Sequence, residues 1–184
     1  EVGSSLSSIH MLSNMATLQE NETAHKEILQ RMSSNAKETM DKMGDIVWMI
    51  KPGDTEAGSL KQRMERFAYE ICGSKNIRIS MQLEELDKFR LTMAQRKNIY
   101  LIFKEALNNS VKYSGTEKME VQASSDKKEL RMTIHDHGKG FDPSVIRKGN
   151  GLDNMYNRAK ELNGELKINS GPGKGTSVLL VFPV

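Results

Sequence analysis

The sequence predicts an α+β protein, in which an N-terminal helical hairpin precedes an α/β sandwich with a mixed sheet. Apolar residues recur every three or four positions through residues 1–50, which is the period of a helix. Segments with helical and strand patterns then alternate along the rest of the chain, as in layered α/β domains. The last two segments both have strand patterns with no helix between them, which indicates that the sheet also contains antiparallel neighbours.

Residues 1–50 are expected to form two helices joined by a short turn. The second helix has an unbroken heptad seam, formed by Leu29, Met32, Ala36, Met40, Met43, Val47 and Ile50. A shorter apolar stripe lies between Val2 and Leu18, and the polar stretch LQENETAHKE separates the two. One hairpin cannot bury this seam alone, so the favoured prediction is a homodimer in which two hairpins form a four-helix bundle. The alternative is that both helices pack onto the rest of the same chain.

Residues 51–59 are expected to be a linker, because KPGDTEAGS contains the proline and glycines that end a helix. Residues 60–184 are expected to form one domain. Its predicted elements are, in order, helix 60–73, strand 77–83, helix 92–113, strands 118–123 and 129–135, helix 152–162, and strands 165–169 and 176–182.

Composition and charge exclude several classes of protein. No apolar run reaches the ~18–20 residues that cross a bilayer, and residues 1–13 do not resemble a signal peptide. The lone cysteine, Cys72, excludes an internal disulfide framework and fits a reducing cytoplasm. Residues 1–57 contain 5 Lys or Arg and 9 Asp or Glu, whereas residues 58–184 contain 22 and 15. This basic part favours an anionic ligand, but scattered basic residues and few aromatics disfavour nucleic acid.

The first candidate site is a polar helix face in the stretch KEALNNSVKY. Glu105 and Asn109 are four residues apart, and Asn109 and Lys112 are three apart, so the three side chains share one face. A carboxylate, an amide and an ammonium together suit a phosphate chain with Mg²⁺, which binds hard oxygen ligands and retains several waters. By itself the pattern is more typical of a solvated helix face.

The second candidate site is the loop DHGKG, which begins at Asp136 after a strand pattern. A carboxylate at the end of a strand can accept a hydrogen bond from an exocyclic amine, and Gly138 and Gly140 let a base approach the backbone. A metal site is disfavoured here, because His135 and His137 have no cysteine or acidic cluster at ligand spacing.

Two glycine-rich stretches, KGNGL and GPGKGT, form the third candidate. Gly149 and Gly151 lie at the start of a predicted helix, whose N-terminal amides favour phosphate. Gly175 and Thr176 lead into the last strand. This second stretch is not a Walker A loop, because its lysine is followed by glycine and the segment enters a strand. No G-x-G-x-x-G is present, so a dinucleotide fold is disfavoured. Each stretch alone is typical of an ordinary glycine turn.

In their order along the chain, these motifs resemble a known family of ATP-binding domains. An E-x-x-x-N helix, a D-x-G-x-G loop after a strand, a G-x-G before a helix and a G-x-G-T before a strand are present. This order is similar to the Bergerat fold that histidine kinases, type II topoisomerases, Hsp90 chaperones and MutL share. The resemblance covers roughly residues 58–184 and implies that the ligands are ATP and Mg²⁺.

At the phosphate end of the nucleotide, the resemblance implies that Asn109 is the Mg²⁺ ligand and that Glu105 faces the same site. Lys112 and Tyr113 are implied to approach the phosphates. Glu105, Asn109 and Lys112 are therefore the candidate catalytic residues.

At the base end, the resemblance implies that Asp136 binds the adenine amino group. Gly138 and Gly140 are implied to shape that pocket, and Gly175 and Thr176 to close its base side.

The resemblance also implies two moving parts. Gly149 and Gly151 would hinge a nucleotide lid at residues 141–150, whose closure over the phosphates excludes water. The linker at residues 51–59 would let the ATP-binding domain swing toward the helical hairpin.

The N-terminal half resembles the dimerisation helices of two-component sensor histidine kinases, in the subfamily that includes nitrate and lipid-fluidity sensors. The stretches EVGSSLSSIHMLSNMA and MGDIVWMIKP carry this resemblance. It places the phospho-accepting histidine two positions before Glu1. His10 is rejected as the acceptor, because no acidic residue follows it. Ser4 departs from the Gln or His that the subfamily often uses to position water for dephosphorylating its partner.

These resemblances imply an ATP-dependent protein-histidine kinase, which passes the γ-phosphate to a histidine and then to an aspartate of a response-regulator receiver domain. They also imply a homodimer with a cytoplasmic kinase core, within a full-length protein anchored at the inner membrane. Two alternatives stay open. One is an ATPase or serine kinase on the same fold, and the other is a nucleotide-binding dimerisation scaffold without kinase activity.

Overall fold

The computed structural model describes residues 2–19, 21–50, 59–126, 128–142 and 150–184. The chain divides into two compact units, Glu1–Gly53 and Asp54–Val184. Apart from Ser59, the predicted linker lies outside the described residues. Gly149 and most of the predicted lid also lie outside them. In the part of the chain that is described, no helix is both long and apolar enough to span a membrane.

The N-terminal unit is a helical hairpin, as the sequence predicted. Helix α1 spans Val2–Leu18 and helix α2 spans Glu22–Ile50. The side chain of Asn21 accepts a hydrogen bond from the backbone N–H of Ala24 at 3.1 Å, which caps the start of α2. The two helices pack through a small cluster of Leu12, Ala16 and Ile28, with Met32 beside it.

Most of the heptad seam lies outside this contact between α1 and α2. Leu29, Met40, Met43 and Val47 are 42, 71, 49 and 56% exposed within one copy of the chain. At the cluster between α1 and α2, the seam residue Met32 lies beside Ile28, which the seam did not include. Helix α1 also has exposed apolar side chains, namely Leu6, Met11, Met15 and Leu18. The hairpin therefore has an inner apolar contact and a second, exposed apolar surface.

The C-terminal unit begins with two helices that carry matching N-terminal caps. Helix α3 spans Leu60–Gly73 and helix α4 spans Met93–Asn109. Ser59 and Thr92 each form a capping box with the glutamine three residues later, which satisfies backbone N–H groups at the helix start. The other elements are strand β1 (Arg78–Gln82), a 3₁₀ helix (Glu84–Lys88), a π-helical turn (Ser110–Ser114), strands β2 (Lys118–Ser125) and β3 (Glu129–Asp136), helix α5 (Asn150–Glu161), and strands β4 (Glu165–Ser170) and β5 (Thr176–Pro183).

The five strands form one mixed sheet in the order β1-β2-β3-β5-β4. β1 and β2 are parallel, and the other three neighbouring pairs are antiparallel. Alternate residues of β3, Leu130, Met132 and Ile134, are buried in the core that the sheet shares with the helices. Asp136 is the next residue in this buried row, so the strand period carries a carboxylate into the interior at the end of β3.

The predicted order of elements is confirmed, with two local differences. The 3₁₀ helix at Glu84–Lys88 was not predicted. Helix 92–113 was predicted as one continuous α-helix, but its last turn widens into the π-helical turn and ends at Gly115 with φ of +64°. The hydroxyl of Ser114 donates to the carbonyl of Ser110 at 2.6 Å in this turn. Such π turns occur frequently at functional sites, and this one borders the cavity described next.

Candidate functional site

The C-terminal unit contains a cavity of about 610 Å³, a size typical of small-molecule sites. It lies between the end of α4, the loop after β3, the start of α5, and strands β4 and β5. Its walls are formed by Glu105, Ala106, Asn109, Ser110, Tyr113, Ser114, Asp136, Lys139, Gly140, Phe141, Gly151, Leu152, Met155, Ile168, Thr176 and Val178. The cavity thus joins residues from all three candidate motifs.

One end of the cavity is formed by the polar face of α4. The side-chain amide of Asn109 donates to Glu105 Oε1 through Nδ2 at 3.2 Å. This bond uses the nitrogen of the amide, so Oδ1 of Asn109 remains as the oxygen that can bind a hard cation. The residues therefore fit a Mg²⁺ ion that completes its shell with water and phosphate oxygens.

Gly151, at the start of α5, makes a close approach to this polar end. A Cβ atom at position 151 would lie 2.1 Å from Glu105 Oε1. The absence of a side chain at Gly151 therefore lets the helix start lie against the Glu105 carboxylate.

The other end of the cavity contains Asp136, which is only 1% exposed. Its Oδ1 atom accepts from the backbone N–H groups of Gly138 at 3.0 Å and Thr176 at 3.3 Å. Its Oδ2 atom accepts from the hydroxyl of Ser110 at 2.8 Å. A buried carboxylate is costly unless hydrogen bonds compensate it, and these three donors do so.

Two glycine turns meet beside Asp136 and require the absence of side chains. Gly140 and Gly175 have φ values of +59° and +69°. A Cβ atom at Gly140 would lie 2.1 Å from the carbonyl oxygen of Gly171, and a Cβ atom at Gly175 would lie 2.0 Å from the carbonyl oxygen of Asp136. Gly138 is similarly close to Ser114. The glycines of the second and third motifs thus allow close backbone packing.

Hydrogen bonds join the same two turns. The backbone N–H of Gly173 donates to the carbonyl of Lys139 at 2.7 Å. The N–H of Phe141 donates to Ser170 Oγ at 2.9 Å, and that hydroxyl also contacts Thr176 Oγ1 at 3.1 Å. The end of the cavity at Asp136 is therefore a connected structure that includes residues distant in sequence.

Between its polar ends, the cavity has an apolar lining. Met155 and Val178 are buried, while Leu152, Ile168 and Phe141 are partly exposed. Apolar walls with a few polar groups at fixed points are the usual arrangement of a small-molecule site.

The structure brings most of the predicted residues together at this cavity. It is lined by Glu105, Asn109, Tyr113, Asp136, Gly140, Gly151 and Thr176. Gly138 donates its N–H to the Asp136 carboxylate, and Gly175 packs against the Asp136 backbone. Lys112 is exposed and does not line the cavity, and Tyr113 is 66% exposed at its edge. Gly149 lies outside the described residues, so its predicted role stays a prediction.

His135 and His137 are closer to an acidic residue than their sequence spacing indicated. Their rings are 4.4 Å apart, and His137 Nε2 lies 3.4 Å from Glu120 Oε1. Lys118 contacts the same carboxylate and holds the pKa of Glu120 below its ordinary value. Within the described ranges, no group of three or more His, Cys, Asp or Glu side chains could hold a metal ion.

The sequence analysis gave no role to Ser110 or Ser170, although both bond to groups at the Asp136 end of the cavity. Ser110 follows Ala106 at helical spacing on the buried side of α4. A hydroxyl at such an apolar position indicates a buried polar partner, and this signal was available in the sequence. Ser170 carries no comparable signal, because its partners depend on how the turns pack.

Comparisons with known proteins agree with this geometry. The family model "Histidine kinase-, DNA gyrase B-, and HSP90-like ATPase" matches residues 94–184. The sensor histidine kinase LiaS of Bacillus subtilis is 25% identical over 150 residues, covering 81% of this chain and 41% of the relative. The histidine-protein kinase/phosphatase DegS of Brevibacillus brevis is 23% identical over 193 residues, covering 92% and 48%. The chain spans less than half the length of these two curated relatives.

Solved structures share the fold at lower sequence identity. The histidine kinase domain of the blue-light-activated kinase from Erythrobacter litoralis has a TM-score of 0.66 at 17% identity, covering 97% of this chain and 95% of that one. The Acinetobacter baumannii histidine kinase AdeS has a TM-score of 0.61 at 12% identity, covering 96% and 94%. The family match implies ATP binding. Residues 94–184 of this chain are therefore similar to the family of histidine kinase-, DNA gyrase B- and HSP90-like ATPases.

Proposed function

We propose that this chain is the catalytic core of a sensor histidine kinase, which binds Mg–ATP and transfers the γ-phosphate to a histidine. The observation that carries the proposal is the cavity with an amide-bearing helix face at one end and a buried carboxylate at the other. Asn109 and Asp136 line the same cavity although they belong to different motifs. Similarity to several sensor histidine kinases supports the kinase over other members of the ATPase family.

At the base end, Asp136 accepts a hydrogen bond from the exocyclic amine of adenine. The carboxylate already accepts three hydrogen bonds from the protein, which hold it in place before the nucleotide binds. The apolar walls, including Met155 and Val178, contact the faces of the base. Recognition of one amine by a preorganised acceptor gives specificity at little cost in ordering.

At the phosphate end, Asn109 Oδ1 binds Mg²⁺ and Glu105 orients the Asn109 amide through its hydrogen bond. When bound, Mg²⁺ neutralises charge on the transferring phosphoryl group. Lys112 and Tyr113 approach the phosphates from the exposed side of the π-helical turn, and Gly149 and Gly151 hinge the lid. The protein's contribution to phosphoryl transfer is mostly placement and charge neutralisation.

The acceptor in this proposal is the histidine that the resemblance places before Glu1. His10 is an exposed residue of α1 whose ring nitrogen lies 3.4 Å from the Asn14 amide, and it has no acidic neighbour in the next position. The phosphoryl group then passes to an aspartate of a receiver domain. The exposed apolar seam of α2 supports a homodimer through the hairpins.

The proposal is tested by the substitution Asn109→Asp. A second carboxylate in place of the amide disrupts the hydrogen bond with Glu105 and brings like charges together, so Mg–ATP binding should be lost. The measurement is calorimetric titration of the whole chain with Mg–ATP. Asn108→Asp is the matched control, because it adds the same charge one residue away at a position that does not line the cavity. Equal affinity in both variants would remove Asn109 from the site.

The reaction itself is tested in a protein that includes the proposed acceptor histidine. Incubation with radiolabelled ATP should give an acid-labile, base-stable phosphate, the property of phosphohistidine. Acid-stable phosphate would instead favour a serine kinase, and ATP hydrolysis without labelling would favour an ATPase on the same fold. ATP binding with neither activity would favour a dimerisation scaffold. Label on His10 of this chain would contradict the assigned acceptor.

A further inference from the structure

We infer that Ser110 is a positioning residue, which orients the Asp136 carboxylate so that it recognises a base with an exocyclic amine. The inference rests on the proposed nucleotide function and gives a role to a residue that the sequence analysis did not single out. Ser110 directly follows Asn109, begins the π-helical turn and lines the cavity while only 8% exposed.

The contact that carries the inference is the bond from Ser110 Oγ to Asp136 Oδ2 at 2.8 Å. A serine inside a helix often directs its hydroxyl to the carbonyl four residues earlier. Here the hydroxyl instead bonds to a carboxylate that lies 26 residues away in sequence. Hydrogen bonds to charged acceptors are stronger than those between neutral groups, and both partners are almost fully buried.

The three bonds to Asp136 divide unequally between its two oxygens. Oδ1 accepts from the N–H groups of Gly138 and Thr176, so both of its acceptor directions are used. Among the described residues Oδ2 accepts only from Ser110, which leaves it one acceptor direction for a ligand. The carboxylate thus has room for one incoming donor, as adenine provides, rather than for the two adjacent donors of guanine.

The Ser110 bond also fixes the plane of the carboxylate. The two oxygens of a carboxylate turn together about the bond to Cβ, and one of the two bonds at Oδ1, from Thr176, is long at 3.3 Å, so the bonds at Oδ1 restrict this rotation only in part. The hydroxyl of Ser110 holds Oδ2 as well, so the remaining acceptor direction is constant. Ser114 donates to the Ser110 carbonyl at 2.6 Å and stabilises the turn from which this hydroxyl projects.

A purely structural role for Ser110 is the competing explanation, since the same bond joins α4 to β3. The two roles have different consequences for ligands. A structural role affects every nucleotide equally, because the whole cavity changes. A positioning role affects only a nucleotide whose base donates to Asp136.

The test compares two nucleotides in the whole chain. ATP has the exocyclic amine, and purine riboside 5′-triphosphate lacks it. For Ser110→Ala, calorimetry should show ATP binding weakened about tenfold, as expected for losing one hydrogen bond to a charged group. Binding of the amine-free nucleotide should change by less than about twofold, because its base makes no bond that Ser110 orients. Ser110→Cys, which is close in size and a weak donor, provides the same comparison if the alanine variant does not fold.

Thr116→Val is the matched control. Thr116 is 7% exposed, and its hydroxyl bonds to the backbone of Lys118 and His137 rather than to the Asp136 carboxylate. Any change in affinity for this variant should be equal for the two nucleotides. Equal weakening of both nucleotides in Ser110→Ala would overturn the inference while leaving the proposed function intact. Failure of the unmodified chain to bind ATP at all would instead overturn the proposed function.

Discussion

The contact between the two glycine turns makes a strong prediction about stability. Gly175 has φ of +69°, and a Cβ atom there would lie 2.0 Å from the backbone carbonyl oxygen of Asp136. Gly173, in the same turn, has φ of +74° but no atom within 4 Å of its Cβ position. Alanine at either position therefore meets the same backbone strain, but only at Gly175 does it also meet the end of β3.

The magnitudes follow from these two geometries. An alanine with positive φ costs roughly 1–2 kcal/mol, and this is the whole expected effect of Gly173→Ala. In Gly175→Ala the backbone must also move away from Asp136, which adds about 1–3 kcal/mol of overpacking. The same movement lengthens the bond from Thr176 N–H to Asp136 Oδ1, already 3.3 Å, and that bond to a charged group represents about 1.5–3 kcal/mol.

The measurement is urea unfolding of the whole chain, followed by circular dichroism, for both variants and the parent. Gly175→Ala should be less stable than Gly173→Ala by about 2–5 kcal/mol, and it should bind ATP more weakly because Asp136 is displaced. Gly173→Ala should retain ATP binding. Equal urea midpoints for the two variants would refute the reasoning, since the contact with Asp136 is their main structural difference.

Two further predictions concern the hairpin and a surface turn. Met43→Glu should convert a homodimer into a monomer in sedimentation experiments, because it places a charge in the heptad seam. The control variant Ser34→Glu changes an exposed residue off the seam and should remain dimeric. An unchanged mass for both variants would contradict the predicted interface. The backbone N–H groups of Lys128 and then Glu129 hold the pKa of Asp126 below its ordinary value of 3.8. The bonds of the ionised Asp126 carboxylate thus stabilise the fold above that value, and this contribution is lost as the pH falls through the lower folded-state pKa. Asp126→Ala should therefore lower the urea midpoint of unfolding at neutral pH and lower it less in acid. A difference in urea midpoint between the variant and the parent that is independent of pH would contradict this role of Asp126.

Much of the candidate site could be predicted from sequence because its motifs are local. The spacing of Glu105 and Asn109 puts both on one helix face whatever the rest of the fold does, and strand alternation carries Asp136 into the interior. The function was predicted from the order of the motifs along the chain, because that order resembles a known family of ATP-binding domains. Lys112 illustrates the limit of spacing, because it shares the helical period of Asn109 but does not line the cavity.

The sequence by itself determined the succession of helices and strands, since apolar periodicity and helix caps act over a few residues. Only the tertiary structure decided that Ile28 joins the seam residue Met32 at the contact with α1, while most of the seam stays exposed within one hairpin. Likewise, only the packing of β5 and of the turn after α4 against β3 brings Thr176 and Ser110 to the Asp136 carboxylate. The physical reason is the same in both cases. Periodicity specifies which residues share a face of an element, but register and packing between elements decide what that face contacts.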